Sequence, residues 1–214
     1  DNAWIYKTEL WGYIGPSFST DRRKKIIIGA DIGSGYGEKR GRGYRANLWI
    51  KAKPIEPLNI EINAMQDRSP SYMQWVDIIE NLNDTIRVYA NSVLLTKDIN
   101  MRLDWTFSPR LTFQCYMQPF YANMDYKEFF RLKQPQTTDL ESYNYLGTAE
   151  NANPDFRLFN TVGTFVLRWE YLPGSTIYLV YNLNQRSEYI FSDSNWTLEK
   201  ENAFYFKINY WLNY

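Results

Sequence analysis

Histidine is absent from the 214 residues, and cysteine occurs once, at Cys115. Without them the chain has no Ser-His or Cys-His catalytic pair, no histidine metal ligand and no internal disulfide. Long apolar runs are also lacking. None approaches the ~18 residues a membrane-spanning helix needs, and mean hydropathy is −0.52. An excess of charge is missing too: 24 Lys plus Arg balance 24 Asp plus Glu. That balance leaves no basic footprint for nucleic acid as a partner. These absences exclude most catalytic classes and a helical membrane protein. They do not exclude a spanning β-barrel, whose strands alternate polar and apolar residues so that hydropathy averages away.

Aromatic residues are abundant: 18 Tyr, 12 Phe and 8 Trp make up 18% of the chain. Tyr and Trp join an apolar body to a polar tip, which suits a membrane-water interface and would equally suit a sugar-binding surface.

The last eleven residues set Phe204, Phe206, Ile208, Tyr210, Leu212 and Tyr214 against Tyr205, Lys207, Asn209, Trp211 and Asn213. This period-two pattern predicts a terminal strand with a uniform apolar face, of the kind through which outer-membrane barrels are assembled. The alternation recurs at 44–53, 58–64, 98–107 and 111–118, with further strands expected at about 25–36, 157–171 and 176–186. A strand over 4–18 has less certain facing, and a short helical turn is expected around Asp125 to Leu132. The expected fold is all-β: an antiparallel transmembrane β-barrel of about nine strands spanning 1–214.

Short connections at about 19–24, 54–57, 108–110 and 172–175 alternate with mostly longer ones at 37–43, 67–90, 122–156 and 187–202. Short periplasmic turns and long extracellular loops give that rhythm. The 67–90 stretch could itself be a hairpin with its tip at Asn81 to Asp84. Trp105 and Phe107, Trp169 and Tyr171, and Tyr214 fall at one end and on one face, as an interfacial aromatic girdle requires. Complete single-chain bacterial barrels have even strand numbers and both termini in the periplasm. The odd count therefore points to the C-terminal part of a larger barrel, with further N-terminal strands in its wall.

Several blocks resemble a family of Bacteroidota outer-membrane proteins whose barrel is a domain of unknown function. They are Ser19 to Lys25, Leu103 to Leu111, Tyr116 to Phe120 followed by Asp125-Tyr126, and above all Asn153 to Arg157 leading to Leu167 to Ser175. The resemblance implies a barrel of which this region is the C-terminal part, usually preceded by a domain similar to family 9 carbohydrate-binding modules. No counterpart of that domain lies in these residues. The resemblance implies location and architecture and carries over no catalytic residue.

On the polar face, Arg45, Lys51, Glu61, Asp98, Arg102, Asp104, Arg168 and Glu170 are expected to point into the lumen. They either line a solute path or brace the wall as a cross-strand ladder. The glycine run Gly33 to Gly37 lacks the Lys-Ser/Thr ending of a phosphate loop and reads as glycine at a strand end. Asp98 and Asp104 as a glycosidase pair, and Asp139, Glu141, Glu150 and Asp155 as a calcium loop, are weaker readings than solvated or ladder charge. Cys115 faces lipid by parity.

No catalytic residue, cofactor or metal is expected. The expected partners are outer-membrane lipids, the barrel-assembly machinery, the further N-terminal strands or another envelope protein, and, through the rings, glycans. The expected role is envelope transport, surface binding or assembly in the bacterial outer membrane. The alternative is a soluble or surface-attached β-sandwich that binds glycans through exposed aromatics.

Overall fold

A computed structural model describes residues 10–81, 84–133, 140–147, 153–191 and 194–212. Within them the chain forms β1 (Trp11–Ile14), β2 (Ser17–Ser19), β3 (Ile26–Gly37), β4 (Gly41–Ala52), β5 (Leu58–Asn81) and β6 (Asp84–Ser108). There follow β7 (Leu111–Leu132), β8 (Leu140–Ser142), one 3-10 turn (Tyr145–Gly147), β9 (Phe156–Leu172), β10 (Ser175–Ile190) and β11 (Asn195–Asn209). All eleven strands belong to one antiparallel sheet, ordered β1-β3-β4-β5-β6-β7-β9-β10-β11, with β2 on β3 and β8 on β7 off the path. Among the described residues the sheet is open, with β1 and β11 at its two ends.

Nine positions in the path match the expected nine strands, and several details differ. The 4–18 strand is divided by Gly15-Pro16 into β1 and β2, both laid along β3; its first residues, like Tyr214, lie outside the described residues. The segment Asp125 to Leu132 is not helical but continues β7. Much of the expected loops at 37–43 and 187–202 is strand, with a turn only at 38–40 in the first and with β10 reaching Ile190 and β11 starting at Asn195 in the second: Tyr36 still faces Arg42, and Glu188 still faces Thr197. Charge interrupts the alternation there without interrupting the ladder, because backbone pairing needs no apolar face. The expected hairpin within 67–90 is present, with Asn81 opposite Asp84.

The terminal strand also ends early. The Trp211 N–H is taken by the Ser175 hydroxyl at 2.9 Å, and the Trp211 side chain packs on Gly174, whose φ is +77°. Tyr210 and Leu212 therefore lie beyond the ladder, which stops at Asn209.

Strands β5, β6 and β7 run on far past their neighbours; β6 alone has 25 residues. Register shifts interrupt the pairing between Ser71 and Gln74 on β5 and between Ala90 and Ser92 on β6, where Ala90 faces Phe129 and Ser92 faces Tyr126 on β7. The three strands thus change register at one level, and Met73 sits there with φ 65°, the left-handed turn of a bulge. Beyond the bulges the extension carries a small buried cluster on each side. Val88, Ala90, Phe129 and Tyr145 pack on one face, and Met73, Tyr89 and Leu132 on the other.

The 3-10 turn folds back onto this extension. Tyr145 stacks on Phe129 with ring centres 5.1 Å apart and donates its hydroxyl to Asp77 at 3.2 Å. Nearby, Asp155 accepts the Tyr126 N–H at 2.6 Å. Burial pushes the Asp155 carboxyl above its ordinary value, the Tyr126 N–H opposing the shift and Asp125 reinforcing it.

A raised carboxyl pKa means that the native state holds a proton the unfolded chain has lost. The folded arrangement that buries Asp155 is therefore most stable at low pH, where the carboxyl is neutral. It weakens as pH rises from about 4 through the elevated Asp155 value, then levels off. Exchange protection of the Tyr126 amide, corrected for intrinsic rate, should fall across that window, and Asp155→Asn should remove the fall. Protection that rises with pH would show the sign to be wrong.

Candidate functional site

Cross-strand register sorts the side chains of the wall into rows. On one face Ile26, Ala52, Ile60, Leu103, Cys115, Phe165, Tyr181 and Phe204 stand opposite one another across eight strands. The next row runs Leu58, Trp105, Phe113, Leu167, Leu179 and Phe206. A third runs Leu111, Trp169, Ile177 and Ile208. Little of the chain covers this face: Leu48 is 50% exposed, Phe204 65% and Ile208 56%.

The apolar rows end at a polar border. On β5 and β6 the next outward positions are Gln66 and Lys97, and Gln66 donates to the Tyr44 hydroxyl at 3.0 Å. At the opposite end the rings of Trp105 and Phe107 lie 4.3 Å apart and those of Trp169 and Tyr171 6.2 Å apart. Four members of the expected girdle are thus brought to the short-turn end; Tyr214 lies outside the described residues. Phe204, Phe206 and Ile208 are on β11, with Tyr210 and Leu212 just past it.

The opposite face carries all eight expected charges. Arg45 reaches Asp67 at 2.9 Å, Lys51 reaches Glu61 at 3.4 Å, Arg102 reaches Asp104 at 3.1 Å and Arg168 reaches Glu170 at 3.4 Å. Asp98 accepts from Asn100 at 3.0 Å. Amides extend the ladder: Asn63 donates to Asn47 at 2.9 Å, Asn47 to Asp31 at 3.2 Å and Gln114 to Asp104 at 3.0 Å. Ion pairs this exposed contribute ~1 kcal/mol or less each. Their effect lies in fixing side-chain positions and cancelling charge along the face.

Asp98 and Asp104 are six residues apart on one strand, ~20 Å at ~3.3 Å per residue, too far to flank one glycosidic bond. Glu141 pairs with Arg131 at 3.0 Å while Asp155 turns to the Tyr126 amide, so the two described acids of the calcium reading do not converge. Asp139 and Glu150 lie outside the described residues.

Glycines make a feature the alternation does not reveal. Tyr13 lies across Gly33, Trp11 across Gly35 and Trp49 across Gly29, each where a Cβ would stand. The glycine run is therefore a floor for rings rather than the end of a strand. The signal was available as glycine at alternate positions of β3, Gly29, Gly33, Gly35 and Gly37, all on the polar face. Gly33→Val or Gly35→Val should lift Tyr13 or Trp11 off the sheet and expose residues 10–19 to protease. Gly12→Val, with nothing within 4 Å of its Cβ position, should leave the digestion pattern unchanged.

No curated protein matches the sequence. The family described as Domain of unknown function (DUF5916) matches residues 2–214. With the match covering nearly every residue of this all-β antiparallel sheet, the chain belongs to that family.

Proposed function

We propose that this chain forms wall of a β-barrel in the bacterial outer membrane and serves envelope transport, surface binding or a larger assembly, with no catalysis of its own. The observation that carries the reading is the pair of opposed faces on a single sheet: an apolar row continuous across eight strands with shorter rows beside it, and a charge-compensated ladder behind them. In water the apolar face would cost roughly 25 cal/mol per Å² left uncovered. A lipid environment removes that cost.

The height of the belt agrees. On β6 it runs from Ile99 to Phe107, about 26 Å of strand at ~3.3 Å per residue. At a tilt of ~40° that is roughly 20 Å, close to the ~25 Å of the apolar band of outer-membrane barrels. The aromatic pairs at one edge and the Tyr44, Gln66 and Lys97 border at the other suit the two interfaces. The extension of β5, β6 and β7, with its own core, then stands in water beyond the outer border.

The two ends of the sheet need partners in this setting, since an unpaired backbone group in hydrocarbon costs several kcal/mol. Further strands of the full-length protein, or another envelope protein, supply them, and β11 is the strand offered to the barrel-assembly machinery. A soluble sandwich would lay a second sheet on the apolar rows, whereas the eleven strands described here form one sheet.

Probes at Leu48, Ile60, Leu103, Phe113, Leu167 and Ile208 should be quenched by lipid-soluble agents, and probes at Asn47, Glu61, Arg102, Gln114, Arg168 and Asn209 should not. Equal quenching of the two sets would refute the facing. Leu103→Arg should cost ~2–4 kcal/mol of stability in micelles, and Gln114→Arg much less.

A further inference from the structure

We propose that the polar face carries a binding track for a neutral oligosaccharide. The proposal rests on the barrel reading above, in which that face lines the lumen.

Three hollows adjoin along this face. The first, about 550 Å³, is bordered by Tyr13, Asp31, Arg45, Asn47 and Asn63. The second, about 440 Å³, shares Asn63 and adds Trp49, Asn100 and Tyr116. The third, about 500 Å³, shares Lys51, Glu61 and Arg102 with the second and opens at Lys24 and Lys25 by the short turns. Their sizes are those of small-ligand sites, and together they form one path down the wall.

The chemistry of the first two hollows selects the ligand. Tyr13 and Trp49 fill the space a Cβ would take at Gly33 and Gly29, so each ring is held against the wall, where it can serve as a platform for the apolar C–H face of a pyranose. Tyr13 remains 58% exposed. Trp11 is not offered in the same way, because Arg40 lies 4.9 Å over its ring.

Between the platforms stand hydrogen-bonding groups of both kinds. Asn47 and Asn63 are joined to Asp31 in a chain, and the Tyr116 hydroxyl lies 3.2 Å from Asn100 and 2.9 Å from Gln118. Vicinal hydroxyls, each both donor and acceptor, match such a set. The charges bordering these two hollows are largely answered within the wall: Arg45 by Asp67, Lys51 by Glu61 and Arg102 by Asp104. An ionic ligand would have to break those pairs, while a neutral polyol need not.

The platforms over Gly33 and Gly29 are four residues apart on β3, ~13 Å at ~3.3 Å per residue. That span calls for several linked sugar rings rather than one.

The test is calorimetric titration of the full-length protein in micelles with neutral hexasaccharides of β-1,4-glucose, α-1,4-glucose and β-1,4-xylose, and with a hexamer of galacturonate. At least one neutral hexamer should bind with an affinity unchanged between low and high salt. Tyr13→Ala and Trp49→Ala should each weaken it by about tenfold, with Trp49→Phe recovering part of the loss and Trp196→Ala changing nothing. Asn63→Leu, which leaves the rings in place, should weaken it also. Gel mobility before and after boiling confirms that each variant is folded.

Absence of binding by every neutral hexamer, tighter binding of the galacturonate hexamer, or neutral binding indifferent to both ring variants would overturn the proposal. A protein that stays monomeric without detergent yet binds a neutral hexamer through Tyr13 and Trp49 would uphold the track and overturn the barrel reading. A micelle-dependent protein that binds none of them would do the reverse.

Discussion

Cross-strand register is the constraint on which the rest of this structure depends. Side chains alternate faces with a period of two, so one slipped residue would exchange every apolar side chain of a strand for a polar one. Eight strands hold the same choice from Ile26 to Phe204 in one unbroken row. Short turns keep it. The β6–β7 and β9–β10 connections occupy only Pro109-Arg110 and Pro173-Gly174, lengths that leave little room for alternative pairings.

The ladder on the other face restates the same register in polar terms. Arg45 meets Asp67 and Lys51 meets Glu61 because their strands are aligned as the apolar rows require. A slipped register would separate the partners and place charge on the apolar side at once. Individually weak pairs of this kind, each worth ~0.2–1 kcal/mol, then act against misalignment more than for stability.

Much of the wall was legible because one physical demand, apolar on one side and polar on the other, is written residue by residue from Leu58 to Ala64 or from Leu111 to Met117. Where that demand lapses the sequence stops showing strand. Glu188, Glu199 and Glu201 sit in a regular hairpin that reads as loop, since hydrogen-bonded backbone leaves no mark on side-chain polarity. The β7 continuation through Lys127 and Glu128 failed for a related reason: the bulge opposite Asn91 breaks the period, and Asn91 donates to Glu128 at 2.9 Å. The rings on glycine were hidden because alternation counts apolar side chains, and this device works through their absence. The end of β11 turned on the hydroxyl of Ser175, 36 residues from Trp211, a contact no local pattern announces.

The aligned bulges divide the sheet into parts that obey different rules. Below them each strand has one apolar face with nothing of the described chain laid over it. Above them consecutive β6 residues Val88, Tyr89 and Ala90 are all buried, alternately on the two sides. A period-two pattern cannot serve a segment covered on both faces, so the strands must become apolar throughout or recruit another segment to cover the second side. This chain does both, with Val88 to Ala90 in β6 and with β8 and Tyr145 folded back onto the extension. The left-handed turn at Met73 is where one regime passes to the other: the added residues reset which side chains point where, and the extension acquires a core that does not rely on what covers the wall.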